Sequence, residues 1–193
     1  MADEWVEKYK PTKLKDIIGN SNEVFKLNYW IKNFDTKSES ANVLIIGNHG
    51  IGKGMIAKLI LDSNQYYYTW LNFLNPKSVE LLENLQNSIK GQKIRNHFIK
   101  DNKKFALVID DVEKITLKSE KKRILELVKK NHIEYLFPII IISNMHHNKL
   151  LKELSACTTR YNLFKPSIQD IKCIYNKIKK SEKIKTESEK IDK

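Results

Sequence analysis

The chain has 193 residues, enough for one domain with its own hydrophobic core and a short appendage. Its 35 Lys and Arg against 23 Asp and Glu give a net charge of +12. That excess favours a polyanionic partner, nucleic acid before an anionic membrane surface, although a lysine-rich surface that only aids solubility remains the alternative. No apolar run approaches the ~18 residues of a membrane-spanning helix, and the N-terminus does not resemble a signal peptide.

The two cysteines, Cys157 and Cys173, do not form a CxxC pair, which fits a reducing compartment. We therefore expect an intracellular protein of the nucleus, the cytoplasm or a viral replication site, with no membrane partner.

The first half of the chain is predicted to alternate between helices and apolar strands. An extended segment over residues 1–19 precedes a helix that Asn20 or Ser21 can cap, with Glu23 in its first turn. Apolar residues then recur at helical spacing as far as Phe34. The elements that follow are a strand at 42–46, a loop at 47–52, a helix at 53–61, a strand at 66–71 and a helix at 78–89.

The second half continues the alternation after a basic stretch at residues 90–104. It is predicted to contain strands at 105–109, 137–142 and 159–164, and helices at 117–130, 147–155 and 167–180. Residues 181–193 are nearly all charged or polar and are predicted to be disordered. This order predicts an α/β fold with a parallel, doubly wound sheet, in which ligands bind at the carboxyl ends of the strands.

A glycine-rich loop follows the buried strand at 42–46 and has the spacing Gly47-x-x-x-x-Gly52-Lys53. Glycines let backbone N–H groups surround a phosphate, and Lys53 can reach the β- and γ-phosphates of a nucleotide. The predicted nucleotide-binding residues of this segment are Gly47, Asn48, His49, Gly50, Ile51, Gly52, Lys53, Gly54 and Met55. A tight glycine turn that binds nothing is the alternative, and the flanking strand and helix argue against it.

Polar residues end two further predicted strands. Asp110 is the candidate for holding Mg²⁺, and Asp111 is the candidate for polarising the attacking water. Asn144 can orient a water molecule or contact the γ-phosphate. Each has an ordinary alternative, because solvated acids and asparagines are common at the ends of strands.

These motifs, in this order, resemble the AAA+ ATPase module of sliding-clamp loaders, the replication factor C family. The segment from Trp5 to Gly19 (WVEKYKPTKLKDIIG) resembles the family's N-terminal box, which packs on adenine and ribose. The resemblance implies nucleotide contacts from Val6, Tyr9, Pro11, Ile17 and Ile18. It also implies a P-loop NTPase (AAA+ type) three-layer sandwich with a five-stranded parallel sheet and a truncated helical lid.

The domain organisation that follows from the resemblance has three parts. Residues 1–166 form the AAA+ domain, 167–180 a single helix left from the lid, and 181–193 the tail. A truncated large-subunit-like or viral member of the family fits this arrangement.

Three departures from the family pattern are visible. Gly54 replaces the Ser or Thr that binds Mg²⁺, and Asp111 replaces the catalytic Glu with a side chain one methylene shorter. The stretch 155–159 lacks the arginine finger of small subunits. Because a displacement on the order of 1 Å can slow a reaction about 100-fold, we expect hydrolysis of ATP to be weak.

The resemblance implies ATP and Mg²⁺ as cofactors. It implies primer–template DNA, other clamp-loader subunits and a sliding clamp as partners. Candidate DNA contacts are Lys90, Lys93, Arg95 and Lys118, each of which could instead be a solvated lysine or arginine. The rings of Tyr66 to Tyr68 and Trp70 could stack on bases, although alternation between core and surface is favoured. A non-hydrolysing AAA+ scaffold is the second hypothesis, and a small-molecule P-loop kinase is disfavoured because the Arg-rich lid is absent.

Overall fold

A parallel sheet of five strands lies at the centre of the computed structural model, which describes residues 5–37, 39–73, 75, 77–90, 104–144 and 149–184. The strands are β1 (Asn42–Ile46), β2 (Tyr67–Asn72), β3 (Phe105–Asp110), β4 (Ile139–Ser143) and β5 (Thr159–Asn162). Their order across the sheet is β2-β3-β4-β1-β5, and every pairing is parallel. The predicted α/β fold with five parallel strands is therefore confirmed.

Seven α-helices accompany the sheet in the described part of the chain. They are α1 (Trp5–Lys8), α2 (Ser21–Lys32), α3 (Lys53–Ser63), α4 (Lys77–Lys90), α5 (Lys118–Glu134), α6 (Lys149–Ser155) and α7 (Ile168–Ser181). None of these described helices combines the length and the apolar content that crossing a bilayer requires.

Both faces of the sheet are covered, which makes the molecule a three-layer sandwich. Alternate residues of β1 point to opposite faces, so Val43 belongs to one apolar cluster and Leu44 to the other. The cluster around Val43 includes side chains of α2 and α3, and the cluster around Leu44 includes side chains of α4, α5 and α6. All five residues of β1 are buried, as expected for a strand in the interior of a parallel sheet.

A buried pair of asparagines anchors the start of β1. Asn42 and Asn131 are both fully buried. The side-chain amide of Asn131 donates to Asn42 Oδ1 and to the Phe137 carbonyl, both at 2.7 Å. Its oxygen accepts from the backbone N–H groups of Leu136 at 3.1 Å and Phe137 at 3.3 Å. The start of β1 is thereby joined to the end of α5 and to the segment that leads into β4.

The N-terminal segment differs from the extended chain that the sequence predicted. It contains the short helix α1 and a 3-10 turn at Leu14–Asp16, where the Asp16 carboxylate accepts from the Lys13 N–H at 3.1 Å. This local hydrogen bond stabilises a turn that hydrophobic periodicity does not detect.

The side-chain cap predicted for the start of α2 is not formed. Asn20 occupies the N-cap position without a side-chain capping bond, and its backbone is left-handed. Its amide instead makes two hydrogen bonds to the Phe164 backbone, at 2.9 and 2.8 Å. The remaining predicted elements are present with ends shifted by a few residues, although residues 91–103, 145–148 and 185–193 lie outside the described part.

Candidate nucleotide-binding site

The glycine-rich loop lies between the end of β1 and the first turn of α3. Gly50 and Gly52 have φ values of +80° and +89°, a backbone region that L side chains rarely adopt. The first helical hydrogen bond of α3 runs from the Ile56 N–H to the Gly52 carbonyl at 2.9 Å. The N–H groups of residues 53–55 precede that bond and receive no side-chain cap from Gly52. They form the kind of helix N-terminus that binds a phosphate.

Lys53 connects this loop to the end of β4. Its Nζ donates to the carbonyls of Gly47 at 2.8 Å and Asn48 at 2.9 Å, and to Asn144 Oδ1 at 2.8 Å. Only 9% of the residue is exposed. Burial lowers the pKa of the ammonium group, and the charges of neighbouring carboxylates, Glu113 first, partly oppose that shift. Lys53 and Asn144, which the sequence predicted separately as site residues, are thus in direct contact.

Asp110 ends β3 beside the first turn of α3. Its Oδ1 accepts from the Asp111 N–H at 2.9 Å, and its Oδ2 accepts from the Trp70 indole N–H at 3.3 Å. Burial raises the pKa of this carboxyl group. Gly54 lies next to the same groups, since a Cβ built on it would stand 3.4 Å from Trp70 Cζ2 and 3.9 Å from Asp110 Oδ2.

Asp111 and Asn144 have different neighbours. Asp111 has a left-handed backbone with φ 53°, and its carboxylate accepts from Lys114 Nζ at 2.9 Å. The amide of Asn144 instead donates to Glu113, whose other oxygen accepts from Ser143 Oγ at 2.8 Å.

Glu113 was not singled out from the sequence, although it stands three residues after Asp110. Through Asn144 it links the end of β4 to Lys53.

A cavity of about 260 Å³ adjoins the phosphate loop. Of the predicted adenine contacts, Tyr9, Pro11, Ile17 and Ile18 line it, whereas Val6 does not and is 75% exposed. Its other walls are formed by the 3-10 turn and the following residues, the loop and α3, and the segment around α7: Asp16, Gly19, Asn20, Gly50, Ile51, Gly52, Met55, Ile56, Pro166, Ile174, Lys177 and Ile178. The loop residues Asn48 and His49 are exposed and do not line the cavity.

The α7 wall was missed from the sequence, where the helix was assigned only to a lid. Ile174, Lys177 and Ile178 repeat at helical spacing, a signal that could have indicated a packed face. The end of α7 is also tied to the N-terminal segment, because Glu182 Oε1 accepts from Tyr9 Oη and from Lys8 Nζ, both at 2.6 Å. The hydrogen bond to Glu182 raises the pKa of Tyr9, and Lys8 lowers the pKa of Glu182.

Two of the four candidate DNA contacts lie in the described part of the chain, on different helices. Lys118 is exposed at the first position of α5, and Lys90 is the last residue of α4. Lys93 and Arg95 lie outside the described residues. On α5, Arg123 forms an ion pair with Glu83 of α4.

Comparison with known proteins places the chain among P-loop ATPases. The family model described as the Sigma-54 interaction domain matches residues 18–166. A protein of Acanthamoeba polyphaga mimivirus that is named as a replication factor C large subunit is 27% identical over 175 residues, covering 80% of this chain and 33% of the relative. The replication factor C large subunit of Methanococcus vannielii is 26% identical over 159 residues, covering 81% of this chain and 31% of the relative.

Human replication factor C subunit 1 is 28% identical over 198 residues, covering 87% of this chain and 17% of the relative. The chain spans about a third or less of the length of these relatives. The five-stranded parallel sheet is consistent with the family match. The chain therefore belongs to the Sigma-54 interaction domain family of AAA+ P-loop ATPases, as a replication factor C-like member.

Proposed function

We propose that this chain is the ATP-binding part of a clamp-loader-like subunit, which acts in DNA replication and helps to load a sliding clamp onto primer–template DNA. The names of its relatives supply the replication role. The observation that carries the nucleotide role is the continuity of two sites: Gly50, Ile51 and Gly52 belong to the phosphate loop and also line the 260 Å³ cavity. A base and its phosphates need such adjoining pockets.

The residues around the site fit a purine nucleotide. Pro11, Ile17 and Ile178 offer apolar surface for a base, while the N–H groups at the start of α3 and the ammonium group of Lys53 offer donors for phosphate oxygens. Lys53 would exchange its bonds to the loop carbonyls for bonds to the β- and γ-phosphates. Such an exchange retains hydrogen bonds for a cation that is already partly desolvated.

Binding of a fluorescent ATP analogue to Lys53→Ala tests this role. A hydrogen bond to a charged group is worth about 1.5–3 kcal/mol, so the variant should lose roughly 10- to 100-fold in affinity. Lys58→Ala is the matched control, because Lys58 is exposed on the same helix α3 and should leave affinity unchanged. Equal binding by Lys53→Ala and the wild-type chain would refute a nucleotide site at this loop.

The proposed DNA contact is supported by the +12 net charge and by the exposed Lys118 at the start of α5. The logarithm of the binding constant for labelled primer–template duplex should fall linearly with the logarithm of the salt concentration. Lys118→Ala should reduce that slope by about 1, and Lys152→Ala, at an exposed position of α6, should not. An identical slope for both variants would remove Lys118 from the proposed interface.

A non-hydrolysing scaffold is the second candidate function. The ion pair of Asp111 with Lys114 favours it, since that carboxylate is the one assigned to polarise the attacking water. Single-turnover hydrolysis, measured with partner subunits and primed DNA, distinguishes the two candidates. Mg²⁺-dependent turnover that Asp110→Asn abolishes would exclude the scaffold.

A further inference from the structure

The metal position of this site departs from the family pattern in two ways. P-loop ATPases hold Mg²⁺ with the hydroxyl group that follows the loop lysine and with an Asp at the end of another strand of the sheet. The corresponding residues here are Gly54 and Asp110. Gly54 has no side-chain oxygen, so one of the two protein groups that orient the metal is absent. The residues present therefore do not form the donor set that Mg²⁺ uses in this family.

The space beside Gly54 is filled by an aromatic ring. A Cβ on residue 54 would lie 3.4 Å from Trp70 Cζ2 and 3.5 Å from Trp70 Cη2, which is ordinary van der Waals contact. Any atom beyond that Cβ on the ring side would overlap the indole. The small residue at position 54 and the large residue at position 70 are thus complementary in volume.

The indole also donates a hydrogen bond to Asp110, the other residue at the metal position. Trp70 Nε1 donates to Asp110 Oδ2 at 3.3 Å, while Asp110 Oδ1 accepts from the Asp111 N–H at 2.9 Å. Each carboxylate oxygen therefore has an N–H donor. A cation that approached Asp110 Oδ2 from the side of residue 54 would meet the indole N–H and would find no protein ligand at residue 54.

Strand β2 holds the ring in this place. The register pairs Trp70 with Val108 and places Asp110 opposite Asn72, so the indole reaches along the sheet towards the end of β3. Trp70 packs against the apolar cluster that contains α3 and lies edge-on to Tyr68, with ring centroids 6.4 Å apart. These contacts oppose a movement of the ring out of the site.

We propose that the Trp70 indole occupies the place of the metal ion, and that the phosphate loop binds metal-free nucleoside di- or triphosphates. This inference rests on the proposed nucleotide-binding function. The negative charge of the phosphates is offset by Lys53 and by the N–H groups at the start of α3, together with the basic surface of the chain. The Trp70 N–H donates to the half-buried Asp110 carboxylate, the group that would otherwise be available to the metal.

The first test compares the affinity of the fluorescent ATP analogue in excess Mg²⁺ and in EDTA. The two dissociation constants should agree within about twofold, whereas a tenfold or greater loss in EDTA, equivalent to about 1.4 kcal/mol, would overturn the proposal. The double variant Gly54→Ser with Trp70→Phe restores the hydroxyl group and removes the indole N–H. The affinity of this double variant for the ATP analogue should be at least about tenfold higher in Mg²⁺ than in EDTA. A double variant that stays indifferent to Mg²⁺ would show that Trp70 does not exclude the metal.

The second test needs no nucleotide. The three tryptophans give three indole N–H signals in a ¹H–¹⁵N spectrum, and Trp70→Phe assigns that of Trp70. Addition of paramagnetic Mn²⁺ should broaden the Trp70 signal no more than the signal of Trp30, which is 2% exposed. Preferential broadening of Trp70 would overturn the proposal. If no nucleotide binds under any condition, the proposed function fails, and the Mn²⁺ result still decides whether metal enters the site.

Discussion

Replacement of the buried Asn131 by Ala should destabilise the whole fold. The Asn131 side chain makes four hydrogen bonds, to Asn42 Oδ1, to the carbonyl and N–H of Phe137, and to the N–H of Leu136. At about 1 kcal/mol each, their loss amounts to about 4 kcal/mol. That is a large part of the roughly 5–15 kcal/mol that stabilises a typical domain. The midpoint of thermal unfolding should fall by about 8–16 °C.

Urea unfolding followed by far-UV circular dichroism measures this change, as a lower midpoint at an unchanged slope. Asn33→Ala is the control: its amide makes one hydrogen bond, to the Tyr29 carbonyl at 2.9 Å, at the exposed end of α2. We expect it to cost less than about 1 kcal/mol. Asn131→Leu fills the volume without restoring the four bonds, so it should remain destabilised. A loss below about 1 kcal/mol for Asn131→Ala, or wild-type stability for Asn131→Leu, would refute the reasoning.

Three further predictions concern titration, Glu113 and α7. Burial raises the pKa of Tyr66 from 10.0 to about 12, so its stabilising effect is complete below pH 10 and is lost as the pH rises towards 12. Tyr66→Phe should reduce the fall in the free energy of unfolding over that range, and an unchanged fall would contradict the assignment. Glu113→Gln removes the charged acceptor of Asn144 and should weaken ATP binding about threefold to tenfold. Glu126→Gln, at an exposed position of α5, should have no effect. Equal effects of the two substitutions would contradict the linkage of Lys53, Asn144 and Glu113. Glu182→Ala should weaken the binding of ATP about threefold and leave the binding of tripolyphosphate unchanged. An equal loss of affinity for both ligands would show that α7 does not contribute to the base pocket.

The parts that the sequence predicted are those encoded by neighbouring residues. The burial of β1, the glycine spacing of the loop and the acidic end of β3 all follow from short stretches of chain, and the structure contains each of them. The position of the phosphate loop, Asp110, Asp111 and Asn144 at one edge of the sheet also follows, because parallel strands bring their carboxyl ends together.

The parts that the sequence did not predict depend on register and on distant contacts. Trp70 reaches Asp110 only because Asn72 pairs with Asp110, a register that β2 alone does not specify. Asn20 contacts Phe164 rather than capping α2, which no pattern of nearby residues indicates. The contribution of Ile174, Lys177 and Ile178 to the cavity likewise needs α7 to return to the N-terminal segment.

The cavity beside the phosphate loop has walls from opposite ends of the described chain, since Tyr9, Pro11, Ile174 and Ile178 all line it. A nucleotide held there would act as a non-covalent cross-link between these ends. At a ligand concentration about 100 times its dissociation constant, such a ligand raises the free energy of unfolding by about 2.7 kcal/mol. The coupling is reciprocal. A partner that separates α7 from Lys8 and Tyr9 would weaken the binding of the nucleotide by the same free energy that the nucleotide adds to the docking of α7. Binding of a nucleotide in the cavity and binding of a partner to α7 would therefore be thermodynamically coupled.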